Sequence, residues 1–165
     1  MSEVHTDGID KEPDRIFLVV VDETEEMHHA MRYACRRARH TGGRVALLLV
    51  IEPAGFEHWM AVGDIMREEA RSEGEELLQR LAAMVNDETG KLPILHLREG
   101  KRREELLDLL DEEPAISVLV LGASTGKRGP GPLTEALTGS YIGKLHVPVI
   151  LVPDSLTNEE IDAIT

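Results

Sequence analysis

The stretch Val118–Ser140, VLVLGASTGKRGPGPLTEALTGS, decides the fold and carries the clearest functional signal in the chain. Its first residues, up to Leu121, form an apolar run that is typical of a strand buried on both faces of a parallel sheet. A glycine-rich loop follows at once. Gly139 and Ser140 then precede a short segment, residues 141–145, for which Ser140 is the predicted helix N-cap. Because the unpaired N–H groups at a helix start favour an anion, the stretch predicts a phosphate-binding loop.

A second buried strand is predicted near the beginning of the chain, and a polar residue follows it. Residues 16–21, IFLVVV, predict a central parallel strand, and Asp22 follows directly. That strand would deliver the Asp22 carboxylate to the edge at which open α/β sheets bind ligands. Thr24 is the predicted cap of the next helix, which is amphipathic and ends at Gly42.

Strand and helix patterns alternate through the rest of the chain. Further strands are predicted at residues 45–51, 94–97 and 147–152, and Pro148 places the last of them at a sheet edge. Five strands and four helices in alternation predict a three-layer α/β sandwich on a parallel sheet with right-handed crossovers. The helices after the first are predicted from Asp64, over residues 104–112 and over residues 141–145. The long helix from Asp64 is predicted to bury Ile65, Met66, Ala70, Leu77, Leu78, Leu81, Met84 and Val85.

Length and composition bound the class of protein. The 165 residues suit one domain at residues 14–153, with a flexible arm at 1–13 and an acidic tail at 154–165 that is either a capping helix or frayed. A net charge of -13 argues against nucleic-acid binding. Neither a signal peptide nor a membrane span is evident, so we expect a cytoplasmic protein. The single Cys35 lies on an apolar helix face and is predicted to be a buried, inert thiol.

Several phosphate and metal motifs can be tested against the glycine loop and the first turn. A Walker loop needs four residues between its first glycine and Gly-Lys-Ser/Thr, whereas three separate Gly122 from Gly126, and Arg128 replaces the hydroxyl. A dinucleotide fingerprint needs glycines after the first strand, where this chain has Asp22-Glu23-Thr24. The adjacent His28 and His29 would point apart on a helix, so no metal site is expected.

One spacing matches a known pattern: Gly126, two residues, Gly129, nine residues, then Gly139 and Ser140. It resembles the nucleotide loop of the universal stress protein family. Segments similar to that family are VVVDETEE (19–26), LLLVIEP (47–53), REGKRREELLDLLDEE (98–113) and HVPVILVP (146–153). The resemblance covers residues 14–153 and implies a five-stranded parallel sheet of order 3-2-1-4-5.

The resemblance also implies a ligand, its contacts and an assembly. The ligand would be ATP or a related adenine nucleotide, with or without Mg²⁺, and the assembly a homodimer through the edge strand Val147–Val152. Gly122 and Gly126 remain alternatives for the first phosphate glycine, because in nucleotide-binding members that glycine directly follows the fourth strand. The implied nucleotide contacts are Val20, Asp22 and Val50 on the adenine and ribose side, and Gly122, Gly126, Gly129, Gly139 and Ser140 on the phosphate side. Tyr141 is implied as a further nucleotide contact.

Other functions remain as alternatives. A family member without nucleotide, serving as a dimeric interaction module, would use the loop only as a connection, and Pro130 and Pro132 favour this reading by removing two N–H donors. An enzyme of the adenine-nucleotide α-hydrolase group would need a Ser-Gly-Gly loop where the chain has Asp22-Glu23-Thr24. A flavodoxin-like carrier would need a hydroxyl-rich phosphate cradle there. No motif identifies a catalytic residue, although weak ATP hydrolysis would be compatible with the family.

Overall fold

The computed structural model describes residues 13–52 and 63–165. The strands are β1 (Ile16–Val21), β2 (Arg44–Ile51), β3 (Ile94–Glu99), β4 (Ile116–Ala123) and β5 (Val149–Pro153). They form one parallel sheet of order β3-β2-β1-β4-β5, which confirms the predicted fold and its two edges. The predicted arm at residues 1–13, apart from Pro13, and the loop around Trp59 lie outside the described residues.

Five α-helices and one short 3₁₀ helix accompany these strands in the described residues, and the last helix follows β5. Their bounds are α1 (Glu25–Thr41), α2 (Gly63–Thr89), α3 (Arg102–Glu112), α4 (Pro132–Thr138), the 3₁₀ helix (Ile142–Lys144) and α5 (Asn158–Ile164). No helix in this part of the chain is long and apolar enough to cross a membrane.

The two faces of the sheet carry separate hydrophobic cores. Alternate residues of β1 point to opposite sides, so Val19 and Val21 pack with α1, α2 and α5, while Leu18 and Val20 pack with α3 and α4. Each fully buried aliphatic side chain stabilises the fold by about 1.5–3 kcal/mol. On the first face, burial raises the pKa of the Cys35 thiol to about 12, which agrees with the prediction of an inert cysteine.

The long helix α2 buries a different set of residues from the predicted one. Ile65, Met66 and Met84 are exposed, and that part of the prediction was wrong. Gly74 is buried where α2 contacts the sheet: a Cβ there would lie 3.1 Å from Leu49 Cδ2 and 3.3 Å from Leu97 Cδ1. The missing side chain therefore lets the helix lie close to β2 and β3.

The glycine-rich stretch contains a helix that the sequence analysis treated as loop. Pro132 occupies the first turn of α4, where its missing N–H costs nothing, and Gly139 follows its last residue. The short helix predicted over residues 141–145 forms as a three-residue 3₁₀ helix, but the prediction that Ser140 caps it was wrong, because Tyr141 is the residue before it. The N–H groups of Tyr141 and Ile142 donate instead to the carbonyls of Ala136 and Gly139.

The C-terminal residues form helix α5, which resolves the choice between a capping helix and a frayed tail. Thr157 begins α5 with a capping box, in which its hydroxyl accepts from the Glu160 N–H and the Glu160 carboxylate accepts from the Thr157 N–H. Ile161 is fully buried against α1. Arg32 of α1 donates two hydrogen bonds, at 2.8 and 2.7 Å, to the carboxylate of Asp162, which lowers the pKa of Asp162. The helix is therefore an integral part of the fold.

Candidate functional site

The carboxyl ends of β1, β2 and β4 open onto one cleft, which consists of two adjoining cavities. The wider cavity, about 770 Å³, lies between the end of β2 and helix α2. The narrower cavity, about 130 Å³, lies between Gly122 and residues 130–134. Asp22, Thr24 and Arg102 line both cavities, so the two meet at these side chains. The combined space is of the size that binds small molecules and lies where open α/β sheets place their ligands.

Asp22 lies at the centre of this cleft and forms the turn that leads into α1. Its Oδ1 accepts a hydrogen bond from the Thr24 N–H at 2.8 Å and another from the Thr24 hydroxyl. Thr24 is the N-cap residue as predicted, but its side chain makes no capping bond because the hydroxyl donates to Asp22. The second carboxylate oxygen, Oδ2, receives no hydrogen bond from a described residue and remains available to a ligand.

Gly122 brings β4 and the first turn of α1 together beside the narrow cavity. A Cβ on Gly122 would lie 2.1 Å from the carbonyl oxygen of Glu26, a distance that no real Cβ contact shows. On the other side, the Thr134 hydroxyl of α4 donates a hydrogen bond of 3.4 Å to the Gly122 carbonyl. Gly122 is thus required by the close approach of two backbones, and this approach shapes the wall of the cleft.

Arg102, the first residue of α3, is the cleft residue that the sequence analysis missed. Its backbone N–H donates a hydrogen bond of 2.8 Å to Glu52 Oε1, which ties the start of α3 to the end of β2. Its Nε is buried and has no hydrogen-bond partner among the described residues. The sequence signal was the basic run Lys101-Arg102-Arg103 at a helix start, where cations are unfavourable for the helix dipole.

The loop after β4 is held by Asp154, which follows β5. Asp154 Oδ1 accepts from the Thr125 N–H at 3.0 Å and from the Thr125 hydroxyl at 2.6 Å, and both bonds lower the pKa of Asp154. The N–H of Asp154 donates to the Ala123 carbonyl at 2.9 Å. These contacts fix the first residues of the loop against the residue that follows β5.

The nine predicted contact residues fall into two groups. Val20, Asp22, Val50 and Gly122 line the cleft. The other five do not line it, because the residues between Gly129 and Gly139 include helix α4, which separates the two glycines. These five are Gly126, Gly129, Gly139, Ser140 and Tyr141, and their role at a phosphate stays a prediction.

Gly126 and Gly129 form a turn on the exposed side of the loop. The Gly129 N–H donates to the Gly126 carbonyl at 3.1 Å, and Gly129 has a φ of 76°, in the left-handed region that glycine adopts without strain. Between them, Lys127 and Arg128 are exposed and line neither cavity of the cleft. The turn therefore explains Gly129 without a ligand, whereas Gly126 has no positive φ and a Cβ there would meet only Ser124 Oγ, at 3.5 Å.

Tyr141 lies in a separate groove on the outer side of α3. The guanidinium carbon of Arg103 is 4.1 Å from the centre of the Tyr141 ring, and the Lys144 Nζ is 5.1 Å from it. Both distances are within the range of cation–π attraction.

Metal-ligand clusters are absent from the part of the chain that the structure describes. In residues 13–52 and 63–165, no three His, Cys, Asp or Glu side chains are grouped so that they could hold a metal ion.

Comparison with known proteins supplies the family context. The model of the universal stress protein family matches residues 15–153, which is most of the chain. No curated protein sequence matches this chain.

Solved structures of low sequence identity share the fold. The universal stress protein UspA from Lactobacillus plantarum has a TM-score of 0.70 at 16% identity, over 84% of this chain and 97% of that chain. The Archaeoglobus fulgidus universal stress protein in complex with dAMP has a TM-score of 0.55 at 20% identity, over 84% of this chain and 97% of that chain. An Arabidopsis thaliana protein of the family with AMP bound has a TM-score of 0.60 at 16% identity, over 84% of this chain and 91% of that chain.

Proposed function

The chain belongs to the universal stress protein family, and from that premise we propose that it binds an adenine nucleotide in the cleft at the ends of β1, β2 and β4. The observation that carries this proposal is the cleft itself, in which Asp22, Gly122 and Arg102 meet at the sheet edge. The relatives with bound AMP and dAMP support the ligand class. The ligand is ATP, with or without Mg²⁺, or a related adenine nucleotide, and the protein acts in stress responses through nucleotide-dependent interactions in the cytoplasm.

Each part of the cleft has a role in this proposal. Val20 and Val50 are buried apolar residues on the same face of the sheet. Val50 lines the wider cavity and offers an apolar surface to the base there, and Val20 lines the narrow cavity beside it. The free Oδ2 of Asp22 accepts hydrogen bonds from ribose hydroxyls, since an ionised carboxylate is an acceptor only. The phosphate end lies in the narrow cavity, between Gly122 and Arg102. Nothing in this arrangement requires a catalytic step, and none is proposed.

Nucleotide binding is expected to raise the melting temperature of the protein. At a free ligand concentration of one hundred times Kd, the stabilisation corresponds to an increase in Tm of about 5–10 °C for a chain of this length. Thermal melts with AMP, with ATP and with ATP plus Mg²⁺ measure this increase in Tm. Chromatography of the purified protein detects any nucleotide that co-purifies with it. No shift with any of them and no nucleotide in the purified protein would refute the proposal.

The second candidate function, an interaction module without nucleotide, rests on one observation. Pro130 and Pro132 both line the narrow cavity, and neither has an N–H to donate to a phosphate. The melts described above separate the two functions, because a module without nucleotide would show no shift.

The proposed homodimer uses the β5 edge of the sheet. In the structure β5 begins at Val149, after Pro148, and its outer edge pairs with no described strand. Leu151 is 40% exposed and Ile142 is 61% exposed. Both side chains line an apolar groove of about 330 Å³. An unpaired strand edge beside an apolar surface is the kind of surface that a second copy covers.

Replacing Leu151 with aspartate is expected to convert the dimer to a monomer, because the substitution places a carboxylate in the apolar contact. Size-exclusion chromatography with light scattering measures the mass. Leu92→Asp is the matched control, since Leu92 is 65% exposed and lies next to β3, at the other edge of the sheet. A wild-type monomer, or a Leu151→Asp variant that stays dimeric, would contradict this interface.

A further inference from the structure

We propose that Arg102 binds the phosphate group of the ligand, and that the cleft selects an adenine nucleotide with a single phosphate over one with three. This inference rests on the proposed function and adds to it the identity of the phosphate-binding residue and the charge of the ligand.

Arg102 is placed to bind an anion at the junction of the two cavities. It lines both the wider cavity and the narrower one. Among the described residues its side chain makes no ion pair, although the carboxylates of Asp22 and Glu52 line the same cavity. Its Nε is buried without a partner among the described residues, as is that of Arg103, and such a donor is costly unless a ligand or an ordered water satisfies it. Of these two side chains, only that of Arg102 lines the cleft. A guanidinium also offers the fork of donors that matches phosphate oxygens.

The narrow cavity offers few other donors to a phosphate. Pro130 and Pro132 have no N–H, and the Thr134 hydroxyl already donates to the Gly122 carbonyl. Arg102 is the only basic residue among the described residues that line this cavity. The exposed Lys127 and Arg128 do not reach it. A single cation with few neutral donors suits one phosphate group.

The rest of the cleft is acidic and repels additional phosphates. Six carboxylates line the two cavities, against the two guanidiniums of Arg80 and Arg102. A phosphate monoester carries a charge of about −2 at neutral pH, and every further phosphate adds negative charge. Like charges inside a cleft of reduced dielectric disfavour binding more strongly than they would in water. The carboxylates are Asp22, Glu23, Glu26, Glu52, Glu73 and Glu76.

Magnesium is expected to change this selectivity in a defined direction. Mg²⁺ binds both phosphate and carboxylate oxygens. It therefore neutralises part of the charge on ATP and is itself attracted to the carboxylates of the cleft. ATP binding is therefore expected to depend on Mg²⁺, whereas AMP binding is not. High salt is expected to narrow the difference between AMP and ATP because it screens the repulsion.

The first measurement is calorimetric titration of the full chain with adenosine, AMP and ATP in the absence of Mg²⁺. We expect AMP to bind about tenfold more tightly than adenosine, because adenosine lacks the phosphate that makes the charge-assisted contact with Arg102. We expect AMP also to bind about tenfold more tightly than ATP, because the acidic cleft repels the additional phosphates of ATP. ATP binding as tight as AMP without Mg²⁺ would overturn the selectivity. If adenosine, AMP and ATP all fail to bind, and ATP with Mg²⁺ fails as well, the proposed function itself fails. If ATP binds while AMP does not, only the selectivity fails; if adenosine binds as tightly as AMP, only the phosphate site fails.

The second measurement assigns the phosphate to Arg102. Arg102→Gln is expected to reduce AMP affinity about tenfold and leave adenosine affinity unchanged, and Arg102→Lys is expected to fall between. Arg103→Gln is the matched control: it removes the same charge from the neighbouring residue, which contacts Tyr141 outside the cleft. Equal losses of AMP and adenosine affinity in Arg102→Gln, or an equal loss of AMP affinity in Arg103→Gln, would overturn the assignment.

Discussion

Replacing Gly122 with alanine is expected to destabilise the protein by about 1–3 kcal/mol and to abolish AMP binding. The new methyl group would lie 2.1 Å from the Glu26 carbonyl oxygen and 2.4 Å from its carbon. These are backbone atoms in the first turn of α1, so no side-chain rotation relieves the clash. Either β4 or the start of α1 must move.

The loss of binding follows from where that movement occurs. The turn formed by Asp22 and Thr24 leads directly into the first turn of α1 and lines both cavities of the cleft. A shift of α1 therefore displaces the carboxylate proposed to contact ribose and widens the wall opposite Arg102. Chemical denaturation measures the stability, and calorimetric titration with AMP measures the binding.

Gly126→Ala is the matched control for this substitution. Gly126 lies in the loop that follows β4, has no positive φ, and a Cβ there would meet only Ser124 Oγ, at an ordinary 3.5 Å. We expect its stability to change by less than about 0.5 kcal/mol and its AMP affinity to stay at the wild-type value. A Gly122→Ala variant as stable as wild type would contradict the close approach of β4 and α1. A Gly126→Ala variant that alone loses AMP binding would place the phosphate glycine at Gly126 instead.

Replacing Ile161 with alanine is expected to lower the free energy of unfolding by about 2–5 kcal/mol. Ile161 is fully buried in the core between α1 and the sheet, so the substitution leaves a cavity beneath helix α5. Loss of this anchor also weakens the ion pair between Arg32 and Asp162, since the pair joins the same two helices. Chemical denaturation measures the change.

Ile164→Ala provides the control for the C-terminal helix. Ile164 lies on the same helix but is 62% exposed, so its truncation is expected to change stability by less than about 0.5 kcal/mol. Equal effects from the two substitutions would show that α5 is not anchored through Ile161. In that case residues 154–165 would behave as the separate tail that the sequence alone also allowed.

The strands and most helices could be predicted because their signals are local. Continuous apolar runs such as residues 16–21 fit only strands buried on both faces, and alternation with helical patterns then fixed the fold class. The order of the strands came from resemblance to a family, since no local pattern contains it. Asp22 was found because residues that follow parallel strands meet at one sheet edge, and Gly122 was found through the family resemblance.

The remaining errors have physical causes that a single sequence does not show. Helix α4 was taken for loop because its start is surrounded by Gly129, Pro130 and Gly131, although Pro132 is favourable in a first helical turn. The exposed Ile65 and Met66 fit the helical period, but periodicity does not show how far a helix extends along the sheet. Arg102 was missed because its position depends on the packing of α3 against β2, which is a tertiary contact.

The most direct test of the nucleotide cleft is a two-dimensional amide NMR titration of the protein with AMP. The account predicts that the largest chemical-shift changes occur at Asp22, Thr24, Arg102 and Gly122, around the junction of the two cavities. The amide of Lys144, in the groove with Tyr141, is predicted to remain unchanged. Shifts confined to that groove, or no shifts at all at saturating AMP, would contradict the account.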